Sequence, residues 1–354
     1  MIKKVIIKVG TNVLSQENGL LDITTISHLS DQIAQLKKQG IEVILVTSGA
    51  VGAGKKILPN TKELSKITQR QVLASVGQIR LMNTYSQLFE QYNLHVAQVL
   101  ATKEDFRDRL HYLNMQNCFQ ALLRNDIIPI VNENDVISVS ELMFTDNDEL
   151  AGLIAAMVNA DMLVILSNVS GVFDGSPNDP NAKILHEIDA DDKRVASLIS
   201  PTKSSFGRGG MYTKFRIAQK AARVGITTVI ANGKERDVLT RILKEEKVGS
   251  KFISRKPVSN LKKWLAYNEL EQKGTIKINE GAVKGLQNAV SSLLPIGITH
   301  IEGDFEKGDI IKITDPNGTV LGLGMTQYNA TTAQRNLGQP KKKPLVHYDY
   351  LYLY

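Results

Sequence analysis

Uninterrupted apolar runs that alternate with helical segments constrain the fold of this chain more than any other feature. Residues 5–9 are β-branched and apolar apart from Lys8, and residues 162–166 are apolar throughout, which is the pattern of a strand buried on both faces. Residues 23–38 and 211–223 have the length and composition of helices, and a glycine at position 40 stops the first of them. This alternation predicts a three-layer α/β/α sandwich with a mainly parallel sheet over residues 1–258.

The same alternation continues along most of the chain. Predicted strands lie at residues 5–9, 41–46, 94–100, 127–131, 162–166, 227–231 and 251–254. Predicted helices lie at residues 23–38, 69–92, 113–124, 148–159, 211–223 and 236–244. We expect ligands beyond the carboxyl ends of these strands, where open α/β sheets bind them.

The pattern changes after Pro257. Residues 259–273 are predicted to be a linker that carries one short helix, at 262–267. Beyond Gly274 the apolar segments are short, strand-like and separated by glycine. Residues 274–354 are therefore predicted to form a second, small β-rich domain with barrel-like character.

Composition narrows the function classes. The single cysteine, Cys118, rules out an intrachain disulfide and indicates a reducing compartment. No run of about 18 apolar residues occurs, so no membrane span is expected, and the N-terminus lacks the pattern of a signal peptide. The net charge of +7 favours anionic ligands such as nucleotides, without requiring nucleic acid.

Two polar or glycine-rich clusters follow the first two strands. Lys8 lies inside an apolar strand next to Gly10, where an ammonium group could clamp a phosphoryl group and the glycine would let it approach; a lysine reaching out from an edge strand is the alternative. Residues 47–54, Thr-Ser-Gly-Ala-Val-Gly-Ala-Gly, expose backbone N–H groups that can hold an anion, although glycine-rich turns are common.

Two further clusters lie later in the chain. Residues 132–135 and 146–148 gather carboxylates and amides, which suit an ammonium group, Mg²⁺ or both, unless they are only turn and cap residues. Residues 207–214 place glycines just before a helix with Lys214 in its first turn, which suggests an anion between them, unless the segment is an ordinary loop. Glycine loops, two lysines and acidic residues together favour phosphoryl transfer.

Known alternatives for this chemistry are missing from the sequence. The spacing of a Walker A loop does not occur, and no dinucleotide-binding glycine fingerprint has its acidic partner. The six histidines are scattered, and there is no cysteine and histidine spacing typical of zinc sites. Thr47-Ser48-Gly49 lacks the flanking residues of a nucleophilic serine elbow.

Taken in order and spacing, these clusters resemble the glutamate 5-kinase branch of the amino-acid kinase family. The matching motifs are Lys8-Val9-Gly10-Thr11 and the segments 46–54, 131–136, 146–148 and 209–211. Residues 294–298 and 302–305 resemble a PUA domain. The resemblance covers nearly the whole chain and implies the amino-acid kinase fold followed by a PUA-like domain.

The resemblance also implies roles for individual residues. Lys8 and Lys214 would neutralise the γ-phosphate, Asp148 would position both lysines, and Gly49 would donate its backbone N–H to the phosphoryl group. Glutamate would be held by Ser48, Asp135 and Asn147, with Asn134 nearby. The nucleotide site would be lined by Lys8, Ser167, Asn168, Arg208, Gly209, Gly210, Met211, Tyr212, Thr213 and Lys214. Mg²⁺ would bridge the phosphates of ATP, and no side chain is assigned as a direct metal ligand.

The implied product is L-glutamyl 5-phosphate, the first committed intermediate of proline synthesis, with proline feedback typical of the family. A cytoplasmic homo-oligomer (dimer or tetramer) and hand-over to a glutamyl phosphate reductase are further expectations. Asn168 and Arg208 depart from the Asp and Thr that the family commonly has, which puts nucleotide contacts in question. Two alternatives stay open: a kinase of the same fold acting on another small acid, and an RNA-binding PUA protein.

Overall fold

The computed structural model describes residues 2–16, 18–59, 63–138, 144, 146–176, 179, 181–192, 194–195, 210–269, 272–288 and 291–354. The chain divides into two compact units, Met1–Pro257 and Val258–Tyr354. Each unit has its own sheet and its own apolar core. The linker predicted at 259–273 stays a prediction, and a helix at Asn260–Tyr267 runs through part of it. Among the described residues, no helix combines the length and the apolar character needed to cross a membrane.

One sheet of eight strands organises the described part of the first unit. Its strands, in chain order, are β1 Lys4–Val9, β2 Glu42–Val46, β3 Val96–Ala101, β4 Ile128–Glu133, β5 Met162–Ser167, β6 Glu187–Asp189, β7 Thr227–Asn232 and β8 Ser250–Ile253. They lie in the order β3-β4-β2-β1-β5-β7-β8-β6. All neighbouring pairs are parallel except β7 and β8. The predicted mainly parallel sheet is therefore confirmed.

Helices connect these strands, and polar caps set where several of them begin. They are α1 Thr11–Leu14, α2 Ile23–Lys38, α3 Ala50–Ile57, α4 Lys66–Glu90, α5 Glu104–Arg107, α6 Arg109–Arg124, α7 Asn147–Met157, α8 Met211–Arg223 and α9 Val238–Leu243. The side chains of Asp22, Ser65 and Asp108 accept hydrogen bonds from the first turns of α2, α4 and α6. Such caps satisfy backbone donors that the helix itself leaves free.

The core explains why the central strands are so apolar. In β1, every residue from Val5 to Val9 is buried, as is all of β5. Successive side chains of a strand point to opposite faces, so uninterrupted burial means that both faces of the sheet are covered. Lys8 is the charged residue in this apolar run, yet it is only 4% exposed. A buried ammonium group needs a partner, which the site supplies.

The strand order brings four loops together. Strands β4, β2, β1 and β5 are adjacent and parallel, so their carboxyl ends meet at one edge of the sheet. The residues that follow these strands therefore become neighbours, although they are far apart in sequence. Neighbouring carboxyl ends form the crevice in which α/β sheets bind ligands.

The second unit is a small β-rich domain, as predicted. Its strands are β9 Gly274–Ile278, β10 Ile298–Gly303, β11 Ile310–Thr314, β12 Val320–Met325 and β13 Leu351–Leu353, in the order β10-β9-β11-β12-β13. Its helices are α10 Asn260–Tyr267, α11 Glu280–Asn288 and α12 Ala330–Asn336. The apolar core of this unit includes Ile276, Ile311 and Phe305. The last two helices were not predicted, because each is short and has no long apolar period.

Candidate functional site

A cavity of about 460 Å³ lies at the carboxyl ends of the four central strands. Residues that follow all four strands line it, together with residues of α3, α4 and α8. The sequence-predicted residues in its lining are Lys8, Ser48, Gly49, Asp135, Asn147, Ser167, Asn168, Gly210, Met211 and Lys214. The structure thus brings most of the predicted site residues into one cavity.

Three buried charged residues form a lysine cluster made of Lys8, Asp148 and Lys214. The Lys8 Nζ atom lies 2.6 Å from Asp148 Oδ1, and the Lys214 Nζ atom lies 2.8 Å from Asp148 Oδ2. Asp148 is completely buried, whereas both lysines line the cavity. Each oxygen of one carboxylate therefore orients one ammonium group.

Burial and charge act against each other at this cluster. Burial by itself raises the pKa of Asp148, but the two ammonium groups outweigh it and hold that pKa well below its ordinary value. For Lys214, burial lowers the pKa and the Asp148 carboxylate more than compensates, so the net direction is upward. Asp148 is thus held as an anion and Lys214 as a cation, as a charge clamp requires.

Local structure explains how each member reaches its place. Lys8 comes from β1, and a Cβ atom at Gly10 would approach the Lys8 ammonium to 3.3 Å, so a glycine there leaves that group its space. Asp148 lies in the first turn of α7, where the helix dipole favours a carboxylate. Lys214 lies in the first turn of α8, where the dipole disfavours a cation and Asp148 offsets the cost.

A left-handed turn at Gly49 begins α3 beside the cavity. Gly49 has a φ of 102°, a conformation that other residues adopt only with strain. It ends the Thr47-Ser48 segment after β2 and leaves the first backbone N–H groups of α3 without helical acceptors. Such free N–H groups favour an anion. The position fits the predicted backbone donor to a phosphoryl group.

Asn147 ties the loops after β2 and β4 together. Its Nδ2 atom donates to the backbone oxygen of Thr47, to Ser48 Oγ at 3.0 Å and to Asn132 Oδ1 at 3.0 Å. The Nδ2 group is therefore fully engaged, which leaves Asn147 Oδ1 as the acceptor for a ligand. Asn132 is itself fixed by donating to Gln78 Oε1 at 2.9 Å.

A second set of charges, the arginine cluster, consists of Arg70, Asp135 and Glu133. Arg70 of α4 donates to Asp135 Oδ1 from Nε at 2.7 Å and from Nη2 at 2.5 Å. The same Nη2 atom donates to Glu133 Oε2 at 3.0 Å. All three side chains line the cavity. Here one cation serves two carboxylates, the reverse of the lysine cluster.

Sequence reasoning missed Arg70, Asn132, Glu133 and Gln78 as site residues. Arg70 and Gln78 lie inside a long helix and carry no local signal. Two glycines bring that helix close: a Cβ atom at Gly54 would collide with Leu73 of α4, and one at Gly77 would collide with Ala50 of α3. Asn132 and Glu133 belong to the segment 132–135 that the sequence singled out, although neither side chain was given a role there.

Several predicted nucleotide and substrate residues stand apart from the cavity lining. Tyr212 and Thr213 lie in the first turn of α8 but do not line the cavity. Asn134 does not line it either, and its backbone N–H donates to the carbonyl of Ala101. Arg208 and Gly209 lie outside the described residues. The roles given to these residues stay predictions.

Asp146 has a buried carboxylate oxygen that could contact a divalent cation. Its Oδ1 atom caps α7, while its Oδ2 atom is buried and has no hydrogen-bond partner among the described residues. Burial first, and the Asp148 carboxylate second, raise the pKa of Asp146 to about 7. Within the described ranges, no group of three or more acidic, histidine or cysteine side chains could hold a metal ion. A cation here would therefore depend mainly on ligand phosphates and water.

Two family models and several curated relatives match this chain. The family model for the amino acid kinase family matches residues 3–232, and that for the PUA domain matches residues 274–345. A glutamate 5-kinase of Bacteroides thetaiotaomicron is 50% identical over 99% of this chain and 98% of its own length. One of Methylococcus capsulatus is 39% identical over 96% of this chain and 91% of its own length.

Solved structures show the same fold at low sequence identity. The UMP kinase of Ureaplasma parvum superposes with a TM-score of 0.51 at 16% identity, covering 72% of this chain and all of that one. A carbamate kinase of Giardia lamblia, bound to AMP-PNP, gives a TM-score of 0.54 at 21% identity, covering 72% of this chain and 99% of its own.

Proposed function

The chain belongs to the amino acid kinase family, within its glutamate 5-kinase branch, and on that premise we propose that it transfers the γ-phosphoryl group of ATP to the side-chain carboxylate of L-glutamate. The observation that carries the proposal is the lysine cluster beside the Gly49 turn. Two ammonium groups fixed on one buried carboxylate, next to free backbone N–H groups, suit charge that moves between two oxygens.

The chemistry needs no covalent enzyme intermediate. A γ-carboxylate oxygen of glutamate attacks the γ-phosphorus of ATP, the bond from that phosphorus to the β–γ bridging oxygen breaks, and ADP leaves with the electron pair. The products are L-glutamyl 5-phosphate and ADP. Lys8 and Lys214 stabilise charge on the transferred group, and the Gly49 N–H donates to it. Asp148 keeps both ammonium groups in place, and its carboxylate raises the pKa of Lys214.

Glutamate is proposed to bind between the Asn147 network and the arginine cluster. Because Asn147 Nδ2 donates to Ser48 Oγ, the Ser48 hydroxyl is left to donate its own hydrogen to a substrate carboxylate. Asn147 Oδ1 is left to accept from an N–H of the substrate. Asp135 supplies a negative charge for the α-ammonium group, and Asn134 stays a neighbouring candidate.

ATP is proposed to lie along Ser167, Asn168 and the start of α8, with Arg208, Gly209, Tyr212 and Thr213 as further predicted contacts. Ser167, Asn168, Gly210 and Met211 support this placement because they line the cavity next to Lys214. When bound, Mg²⁺ neutralises phosphate charge, and the free Oδ2 atom of Asp146 is the described side-chain atom that suits it or its water shell.

In the cell, the reaction would be the first step of proline synthesis. A cytoplasmic homo-oligomer, feedback by proline and hand-over of the unstable acyl phosphate to a glutamyl phosphate reductase belong to the same proposal. For the PUA domain no role is assigned, and RNA binding by it is a separate question that a filter-binding assay with structured RNA answers.

The proposal is tested by ATP turnover with a panel of acids in the presence of hydroxylamine, which traps an acyl phosphate as a hydroxamate. L-glutamate should give hydroxamate and ADP in equal amounts, while acetylglutamate, aspartate and carbamate should give little. The Lys214→Met variant is the matched control, since it should keep the fold and lose most of the turnover. Robust turnover with acetylglutamate and none with glutamate would reject the assignment.

A further inference from the structure

The arginine cluster contains a feature that the proposed phosphoryl transfer does not use. Asp135 is the expected partner of the α-ammonium group of glutamate, yet in the structure it is held by Arg70. An arginine placed there merely to neutralise Asp135 would compete with the substrate ammonium. Its presence therefore calls for a function that is compatible with binding an amino acid.

The bonding pattern leaves one group of each sign available. Both Arg70 contacts to Asp135 go to Oδ1, and no hydrogen bond to Asp135 Oδ2 is formed by the described residues. Arg70 uses Nε and Nη2 for these contacts. Its Nη1 group makes no hydrogen bond or ion pair with any described residue. Both side chains line the cavity, and that of Arg70 is 26% exposed.

We propose that Arg70 is a specificity-determining residue that binds the α-carboxylate of the amino-acid substrate while Asp135 binds its α-ammonium group. The two groups of an α-amino acid are attached to one carbon atom, so a cation bonded directly to the ammonium-binding carboxylate is suitably placed for the α-carboxylate. The zwitterionic head group adds no net charge to the cluster. This inference rests on the proposed function.

The surrounding structure holds Arg70 in place for this purpose. Glu133 Oε2 accepts from Arg70 Nη2, and the other oxygen of Glu133 accepts from the backbone N–H of Phe144. The next residue of α4, Gln71, donates to the carbonyl oxygen of Val136 at 2.6 Å. One turn of α4 is thus fastened to the loop after β4. Because Glu133 and the contact of Gln71 with the loop after β4 fix the position of Arg70, its guanidinium group loses little conformational freedom when it binds a carboxylate.

The test compares two substrates that differ only at the α-carboxylate. L-glutamate is compared with L-isoglutamine, which keeps the γ-carboxylate and the α-amino group but carries a neutral carboxamide in place of the α-carboxylate. The wild-type protein should prefer glutamate in kcat/KM. Arg70→Met should lower kcat/KM for glutamate by about 10- to 100-fold, the scale of one charge-assisted hydrogen bond, and should affect isoglutamine by less than about threefold.

Two further variants keep the test decisive. Arg70→Lys retains the charge and should keep part of the preference for glutamate. This variant also provides the test if Arg70→Met does not fold. Arg80→Met removes a cation from the same helix outside the cavity lining and should leave both substrates within about twofold of wild type. Melting temperatures show whether each variant is folded.

The outcomes separate this inference from the proposed function. Equal losses for glutamate and isoglutamine in the Arg70 variants would mean that Arg70 only supports Asp135, and the inference would be wrong. An unchanged preference in an active Arg70→Met protein would also overturn it, with glutamate phosphorylation intact. If the wild-type protein forms no hydroxamate from glutamate at all, the proposed function fails and this inference fails with it.

Discussion

The lysine cluster and the arginine cluster line the same cavity with opposite charge patterns. In the first, two ammonium groups share the buried carboxylate of Asp148; in the second, one guanidinium group serves Asp135 and Glu133. An excess of cations suits the transferred phosphoryl group, and an excess of carboxylates suits an ammonium group. The contrast suits the proposed binding of a polyanion at one cluster and of an amino acid at the other.

The two clusters also differ in how much solvent reaches their charged groups. Asp148 is completely buried, so its two partners stabilise a charge that has no access to water. Arg70 is partly exposed, so its contacts are screened more strongly and are easier to rearrange. We therefore expect substitutions in the lysine cluster to lower kcat and, at the shared carboxylate, stability, and those in the arginine cluster to affect mainly substrate affinity.

The largest effect is expected for Asp148→Asn. It leaves two buried ammonium groups without their carboxylate, and breaking a buried ion pair on one side costs about 3–5 kcal/mol of folding free energy. Activity should fall with it. Urea unfolding of wild type and variant gives the free-energy difference, and a difference below about 1 kcal/mol would contradict the assigned role of the pair.

The same variant has a pH signature. Because the folded-state pKa of Asp148 is depressed, its contribution to stability is present above the unfolded value of 3.8 and is lost as the pH falls below it. The gap in melting temperature between wild type and Asp148→Asn should therefore narrow as the pH is lowered through this region. A gap that stays constant down to about pH 2 would contradict the depressed pKa.

Next in size are Lys8→Met and Lys214→Met. Each removes one ammonium group that is proposed to act on the moving charge, so kcat should fall by roughly 10²-fold or more, with a smaller change in the KM for glutamate. Steady-state kinetics with circular dichroism as the folding control measure this. Near-normal kcat in both folded variants would place the phosphoryl clamp elsewhere among the glycine loops.

A smaller and different effect is expected for Asp135→Asn. It removes the proposed ground-state contact to the α-ammonium group, so the KM for glutamate should rise about 10- to 100-fold while kcat changes little. The matched comparison is Lys214→Met, which should show the opposite split. If Asp135→Asn instead lowers kcat alone, the two clusters do not divide binding from chemistry as proposed.

The smallest effect is expected for removal of the second unit. Both clusters lie in the unit Met1–Pro257, which has its own sheet and core. A chain ending after about Ser259 should therefore fold and keep measurable glutamate-dependent turnover. Insoluble or inactive products at several nearby end points would show that the kinase unit depends on the rest of the chain. Changed inhibition by proline would indicate a regulatory role of the second unit.

Sequence reasoning identified much of the site because its residues follow strand ends. Ser48 and Asp135 belong to polar clusters that follow apolar runs, Lys8 is an unusual charge inside such a run, and Lys214 lies at a helix start. Arg70 was missed because nothing in its local sequence distinguishes it from a solvated helix residue. Its partners lie 63 and 65 positions away, so only packing of α4 against α3 and the loop after β4 makes it a site residue.

The sequence by itself determined the class of fold, since the apolar period of each segment sets which of its faces are buried, whatever its neighbours are. It also determined which loops could carry chemistry, because a glycine or an asparagine limits the backbone locally. Only the tertiary structure decided that β4, β2, β1 and β5 are adjacent and that Asp148 joins Lys8 to Lys214. Those pairings depend on how distant segments cross and pack. The sequence does not show which charged groups pair, because a buried pair forms only when folding removes both groups from water together.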